Sequence, residues 1–454
     1  MDISPWTLLT DLGFVALLLL VGSILRAKVK VIQMLFLPAS LIARILGLIL
    51  GPNGVGVIPF SSAIGTYPGI LIAVVFASLP IAAKKMNWKT IIDRVGYFWG
   101  YSQFIMIVQW GLGVLFGLVV LKFIWPELHN GFGLMLAAGF VGGHGTAAAI
   151  GEAFSGHGWE DAASLAMTSA TVGIVVAIVG GIFLINMSAR KGEASFISDY
   201  KQLPNELRTG LITRNKRKSF GDDTVSSISI DPLIFHLAII LVATIGGYYL
   251  SDFGGRILPQ VTLPAFSVAF IVAIFIQQVL VATKSIDYFD KRIVDRISGS
   301  ATDLLVVFGI ASIKLPVVIK YATPLIFLFL FGIVYCYICF KILGPRMLRE
   351  FWFEKSIFSW GWMTGTMAMG IALLRIVDPD LKSKTLDDYA LAYIPTAPVE
   401  ILVVTFSPLL IMSGQHWLFI IITLGFGLII FLLALMRGWW IKDINVHRKR
   451  ASNG

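Results

Sequence analysis

Gly139-Phe140-Val141-Gly142-Gly143-His144-Gly145-Thr146-Ala147-Ala148-Ala149-Ile150-Gly151-Glu152 lies between long apolar runs and is poor in large side chains. Gly142, Gly143 and Gly145 weaken a continuous helix, because glycine loses the most backbone entropy on ordering. A break here frees backbone N–H and C=O groups at membrane depth. Such groups are tolerated only where protein buries them or a wet cavity receives them. His144 and Thr146 add polar side chains at the same point. The stretch reads as a helical hairpin over about 131–154 that dips into the membrane. It turns at Gly142–Gly145 and aims its tip at a polar solute or ion. A glycine-rich helix-packing face is the alternative open from this stretch alone.

The surrounding chain decides the class. Of 454 residues, 57% are hydrophobic and 14% charged, against about 25% charged in a soluble domain. This is a polytopic, all-helical membrane protein. The net charge of +10 falls in short clusters between apolar runs, the pattern of cytoplasmic loops, and does not signal a nucleic-acid partner. Cys336 and Cys339 sit inside one apolar run, so buried free thiols are expected. The first run lacks a basic segment before it and a small-residue cleavage site after it, so it reads as a retained span.

Loop charges give the expected topology. A first span, about Leu8 to Ile24, is followed by Arg26, Lys28 and Lys30, which puts the N-terminus outside. Spans of about Leu35–Leu50, Thr66–Ala83 and Tyr97–Ile124 follow, the third span of the chain stopping at Lys84 and Lys85. The next span, about Ala162–Met187, must end inside, before Arg190, Lys191, Arg214, Lys216, Arg217 and Lys218. The stretch between Ile124 and Ala162 is too short for two crossings, so a re-entrant hairpin open to the outside fits. Residues 1–187 form a first membrane repeat, and 188–230 a cytoplasmic linker.

Residues 231–412 repeat the plan. Spans of about Pro232–Leu250, Val261–Val281, Ala301–Ile313 and Leu325–Leu343 are expected. Leu263-Pro264-Ala265 echoes Leu37-Pro38-Ala39, and Leu304-Leu305-Val306-Val307-Phe308 resembles the run ending at Phe76. Trp360-Gly361-Trp362-Met363-Thr364-Gly365-Thr366-Met367 then holds the place of the first hairpin. Inside-type charge flanks it: Lys355 before, Arg375, Lys382 and Lys384 after. It reads as a second hairpin, over about 356–377, open to the cytoplasm. A span of about Tyr389–Met412 follows. Residues 413–454 hold an unpaired span and a basic tail, Arg448-Lys449-Arg450, inside. Loop charges make the halves run in opposite directions. An inverted repeat with interruptions at matching places is the best sequence pointer to a secondary transporter, with its site at the interruptions.

Gly142-Gly143-His144-Gly145-Thr146-Ala147-Ala148-Ala149 resembles the bacterial sodium/glutamate symporter family, which carries Gly-Gly-His-Gly-Thr-Gly-Ala-Ala in the same place. Ala166-Met167-Thr168-Ser169-Ala170-Thr171-Val172-Gly173 is similar to the family's Ala-Met-Ala-Cys-Ala-Thr-Phe-Gly. The second half is less similar. Trp362–Met369 stands where the family has a Gly-His-Cys-Gly-Phe-Gly-Leu-Gly type of run, and Pro395 and Glu400 stand where it has a proline and an aspartate. The resemblance implies an elevator-type, dimeric carrier of the bacterial inner membrane that moves its substrate with sodium.

The chemistry is expected at a few residues. Sodium prefers hard oxygen ligands: carbonyls at a broken helix near Gly143 and Gly145, and the hydroxyls of Thr146, Ser169, Thr171 and Thr396, with Thr364 and Thr366 in the second half. Any one of these threonines could instead bond its own preceding turn. Gly143, His144, Gly145, Thr146, Thr364, Gly365, Thr366 and Glu400 are the substrate-binding candidates. A carboxylate would seek N–H groups at a helix N-terminus and a basic partner, for which Arg44 and Arg375 are candidates. Arg44 could equally pair with Asp11, and Asp11 and Asp303 could face water. Glu152 could cap the first hairpin or meet solvent. The reading is a symporter of a small carboxylate-bearing solute such as glutamate, with no organic cofactor and no enzyme activity. The alternative is a cation/proton antiporter using Glu400 and Asp303. An intramembrane enzyme would need a metal cluster, a Gly-x-Ser-x-Gly elbow or a phosphate loop, and the chain shows none of these.

Overall fold

A computed structural model describes residues 4–34, 38–81, 88–189, 193, 195, 209–214, 217, 219–257, 264–311, 313–378 and 381–441. The basic tail, Lys84 and Lys85, and most of the expected linker, including Arg190, Lys191, Lys216 and Lys218, lie outside those residues. Among the described residues the secondary structure is all helical. The first half runs α1 (Pro5–Lys28), α2 (Ala39–Leu50), α3 (Tyr67–Ile81), α4 (Trp88–Phe116), α5 (Leu134–Gly139), α6 (Gly143–Ser155) and α7 (Asp161–Ala189). The second runs α8 (Pro232–Ile257), α9 (Ala265–Ala282), α10 (Lys291–Ala311), α11 (Ala322–Ile338), α12 (Trp352–Thr364), α13 (Met367–Val377) and α14 (Thr385–Met412). A last helix, α15 (His416–Met436), follows.

Local chemistry marks the same points in both series. Pro38 and Pro264, in extended conformation, stand just before α2 and α9. Proline suits a helix start, where its missing N–H has no intrahelical partner to lose. Both α4 and α11 pass into one π-helical turn, Gly117–Leu121 and Cys339–Leu343. Neither turn was legible in the sequence.

Nine helices among the described residues are long and apolar enough to cross a membrane. Two expected spans are not among them. The one placed at Leu35–Leu50 is a helix of 12 residues, about 18 Å long at 1.5 Å per residue against an apolar core of about 30 Å. It packs with α1 and α10, where Val15, Leu18, Ala43, Val307, Phe308 and Ala311 form a separate small core. The one placed at Ala301–Ile313 begins ten residues earlier, at Lys291, so its first turns are charged.

The start of α10 is fixed by Asp290. Its carboxylate accepts the N–H groups of Arg292 (2.6 Å) and Ile293 (3.4 Å), and that of Asp222 (3.1 Å). Burial pushes this carboxyl up, but those N–H groups and the Arg292 charge outweigh it and hold it below the usual carboxylate range.

The interrupted elements are the best buried. All six residues of α5 and all thirteen of α12 are buried. By contrast α1, α8, α9 and α15 carry many exposed large apolar side chains, the surface a lipid-facing helix presents. Lys355, expected in a cytoplasmic loop, is inside α12 and 1% exposed. It pairs with Asp388 of α14 at 3.0 Å and donates to the Tyr97 hydroxyl of α4 at 2.5 Å. A lysine so satisfied belongs to the interior and carries no topological information.

Candidate functional site

Two breaks in the backbone meet. The first lies between α5 and α6, at residues 140–142, slightly before the expected turn at Gly142–Gly145. Gly143 is in the left-handed region, φ +64°, where a side chain is disfavoured by about 1–2 kcal/mol. Gly145 and Thr146 are already helical. The second break is Gly365–Thr366, between α12 and α13. A Cβ at Gly143 would lie 3.1 Å from the Gly365 carbonyl oxygen and 3.3 Å from Thr366 Cγ2. The two interruptions, more than 200 residues apart in sequence, therefore touch.

Both rest on α7. A row of small residues, Ser169, Gly173, Ala177, Gly180 and Gly181, faces them. Gly139 at the end of α5 packs on Ser169 and Ala170. Gly173 lies under the Thr364 carbonyl, leaving no space for a side chain there. The Trp360 indole N–H of α12 donates to the Ala177 carbonyl at 3.1 Å. Small side chains let backbones approach this closely in an apolar setting.

The breaks bring two helix N-termini together, α6 at Gly143 and α13 at Met367. Neither has a side-chain cap. Their first N–H groups thus lack intrahelical partners, and the aligned peptide dipoles favour negative charge in front of them.

His144, in the first turn of α6, is 3% exposed. Arg44 of α2, 2% exposed, donates from Nη1 to His144 Nε2 at 2.6 Å and from Nε to the Ser40 carbonyl at 3.2 Å. Asp303 of α10, on the exposed face of its helix, interacts with Arg44 and Ser40. Arg44 does not pair with Asp11. Asp11 does not face water either: it is 1% exposed and accepts from the Ser61 N–H (3.0 Å), the Ser61 hydroxyl and the Tyr67 hydroxyl (2.9 Å). Thr171 Oγ1 lies 3.5 Å from His144 Nε2.

The other expected ligands divide. Thr171, Thr364 and Thr396 each donate to the carbonyl four residues earlier, at 2.9, 2.6 and 3.1 Å. Ser169, fully buried beside Gly139, has a hydroxyl with no partner among the described residues. Thr146 is buried over Gly142. Glu400, partly buried in α14, accepts from the Tyr393 hydroxyl at 2.9 Å. Arg375 is in the last turn of α13, about 12 Å along the helix from its N-terminus, and so is not at the break. Glu152 is exposed with its carboxyl against Gly69 of α3.

Sequence reasoning missed the Lys355–Asp388–Tyr97 cluster and the aromatic setting of Tyr389. The signal available was a Glu-Lys pair set in the aromatic run Trp352-Phe353-Glu354-Lys355-Ser356-Ile357-Phe358. No solvated loop is built that way.

The sequence profile of the sodium/glutamate symporter family matches residues 6–350. That is well over half of the chain, which belongs to this family and is a sodium-coupled membrane transporter. The match includes the first break and α7; the second break, Lys355 and Glu400 lie beyond it. A search of curated proteins finds no match.

Proposed function

We propose that this member of the sodium/glutamate symporter family carries a small carboxylate-bearing solute, glutamate or a related amino acid, together with sodium. The observation that carries this reading is the contact of Gly143 with Gly365 and Thr366. It sets two uncapped helix N-termini around one point, the arrangement by which broken helices receive anionic substrates. In this reading Gly143, His144, Gly145 and Thr146 face the solute from the first half. Thr364, Gly365 and Thr366 face it from the second, and Glu400 is the acidic member. The Arg44 charge, held through His144, adds to the attraction for a carboxylate. Sodium is held beside it, by carbonyls at Gly143 and by Thr146, Ser169, Thr171 and Thr396. Ser169, with its hydroxyl free, is the strongest of these.

Two further parts of the proposal have physical support. The limbs α6, α12 and α13 have 13, 13 and 11 residues, about 16–20 Å each, too short to cross alone. They are read as re-entrant hairpins. The matching order of α1–α7 and α8–α14, with prolines and π-turns at the same places, supports an inverted repeat. Elevator-type alternating access would then move both hairpins with α7 against the lipid-facing helices. The homodimer, the bacterial inner membrane, the external N-terminus and the cytoplasmic C-terminus belong to the same proposal.

The test is uptake into proteoliposomes of a panel of amino and dicarboxylic acids, with and without a sodium gradient. Sodium-stimulated accumulation of at least one carboxylate is expected. Accumulation of none, or accumulation blind to sodium, would falsify the reading.

A further inference from the structure

We infer that this carrier also binds and releases a proton at Glu400 in each transport cycle. The inference rests on the transport reading above, but not on the identity of the solute.

Tyr389, Tyr393, Thr396 and Glu400 recur at spacings of four, three and four, so they share one face of α14. The Tyr389 ring is enclosed by Phe98 of α4, by Phe358 and Trp362 of α12, and by Tyr393 stacked at 5.6 Å. Phe358 and Trp362 are one turn apart on the limb that ends at the second break. The face therefore runs beside α12 toward Gly365. Tyr389 is 2% exposed, and its hydroxyl has no partner among the described residues.

Two carboxylates of α14 are treated differently. Asp388 has a cation, Lys355, at 3.0 Å. Glu400 has the Tyr393 hydroxyl at 2.9 Å, and no cation is set against it among the described residues. The titratable groups facing it are Tyr393 and Tyr389, both on its own helix. On α12, Lys355 is turned to Asp388 and Tyr97; on α4, Tyr97 is turned to Lys355; on α6, His144 is engaged by Arg44.

A charged carboxylate within a span costs at least about 2.5 kcal/mol. With no cation beside it, Glu400 rests as the neutral acid. When its face opens to water, the O–H bond breaks heterolytically, the proton goes to water, and the Tyr393 hydroxyl stabilises the anion. A proton from water on the other side restores the acid. No other bond changes. Tyr393 is a positioning residue, and Tyr389 keeps the closed face dry.

The primary experiment is infrared difference spectroscopy of the full-length protein in lipid, titrated with pH. A carbonyl-stretch band of a protonated carboxyl is expected, lost as pH rises and missing in Glu400→Gln. Tyr393→Phe should shift its midpoint upward, because the anion loses its donor. Identical bands in wild type and Glu400→Gln, with an unmoved midpoint in Tyr393→Phe, would overturn the inference. Proteoliposomes holding a trapped pH indicator supply the second arm. Sodium-driven L-glutamate uptake should change lumenal pH in wild type but not in Glu400→Gln. Uptake with no pH change in wild type overturns the inference equally. If L-glutamate is not carried, the proposed substrate fails alone, and the infrared titration still decides Glu400.

Discussion

Arg44 donates from Nη1 to Nε2 of His144 across 2.6 Å, and both side chains are buried. A guanidinium has only donors, so Nε2 is the unprotonated nitrogen and Nδ1 carries the hydrogen. The pair ties α2 to the first turn of α6 and fixes a positive charge beside the first break. A hydrogen bond to a charged group contributes about 1.5–3 kcal/mol. His144→Leu should therefore lower stability in detergent by about 2 kcal/mol and depress uptake. His144→Asn, whose side-chain oxygen can accept, should recover part of both. Thermal unfolding and uptake, measured side by side, check this.

Gly173→Ala places a methyl group against the Thr364 carbonyl, where neither backbone can yield. Loss of most uptake is expected. Gly425→Ala in α15, with nothing within 4 Å of the added carbon, should transport normally. Equal activity in the two variants would show that the second break does not rest on α7.

Lys355 and Asp388 form a buried pair, and removing one partner strands the other. Lys355→Met should cost roughly 3–5 kcal/mol. The double variant Lys355→Met with Asp388→Leu should recover much of that, because no charge remains buried without a counter-charge. Additive losses in thermal unfolding would count against an interior pair.

Ser169→Ala removes a hydroxyl with no protein partner. Folding should be nearly unaffected. If the hydroxyl binds sodium, the half-saturating sodium concentration should rise about tenfold, the equivalent of about 1.4 kcal/mol. Thr146→Val should likewise weaken sodium-driven uptake while expression holds. An unchanged sodium dependence in both would remove sodium from this end of α7.

Asp290 supplies the one pH effect argued outside the spans. Its carboxyl is held below the usual range in the folded chain. The contribution is therefore present above the unfolded value of about 3.9 and is lost as pH falls through the folded value. Asp290→Ala should cost about 1 kcal/mol at neutral pH, as for other helix caps. The gap to wild type should close in strong acid, as a pH series of unfolding midpoints would reveal.

The first break was legible because three glycines and a histidine stood out from an apolar background. Its position moved slightly, since Gly143 takes the left-handed conformation and the helix begins there. The Leu-Pro-Ala starts were legible for a comparable local reason. Lys355 was misread because hydropathy treats every lysine as a surface residue, and only the fold supplies Asp388. Arg44 found His144 and Asp11 found Ser61 and Tyr67 for the same reason. Partner choice among buried polar groups depends on which helices adjoin. The π-turns leave no local trace, since one extra residue per turn changes neither composition nor pattern. The shortness of α2 could have been suspected from Pro38 and the Gly51-Pro52 pair that bound it.

Ser169, Gly173 and Ala177 occupy a single helix, yet one serves the first break, one lies under both, and one packs against the second. Ion and solute affinities consequently cannot be engineered independently through this strip. A substitution that resizes the footing of one will transmit to the other. Variants selected for altered substrate preference at α7 should emerge with altered sodium preference as well.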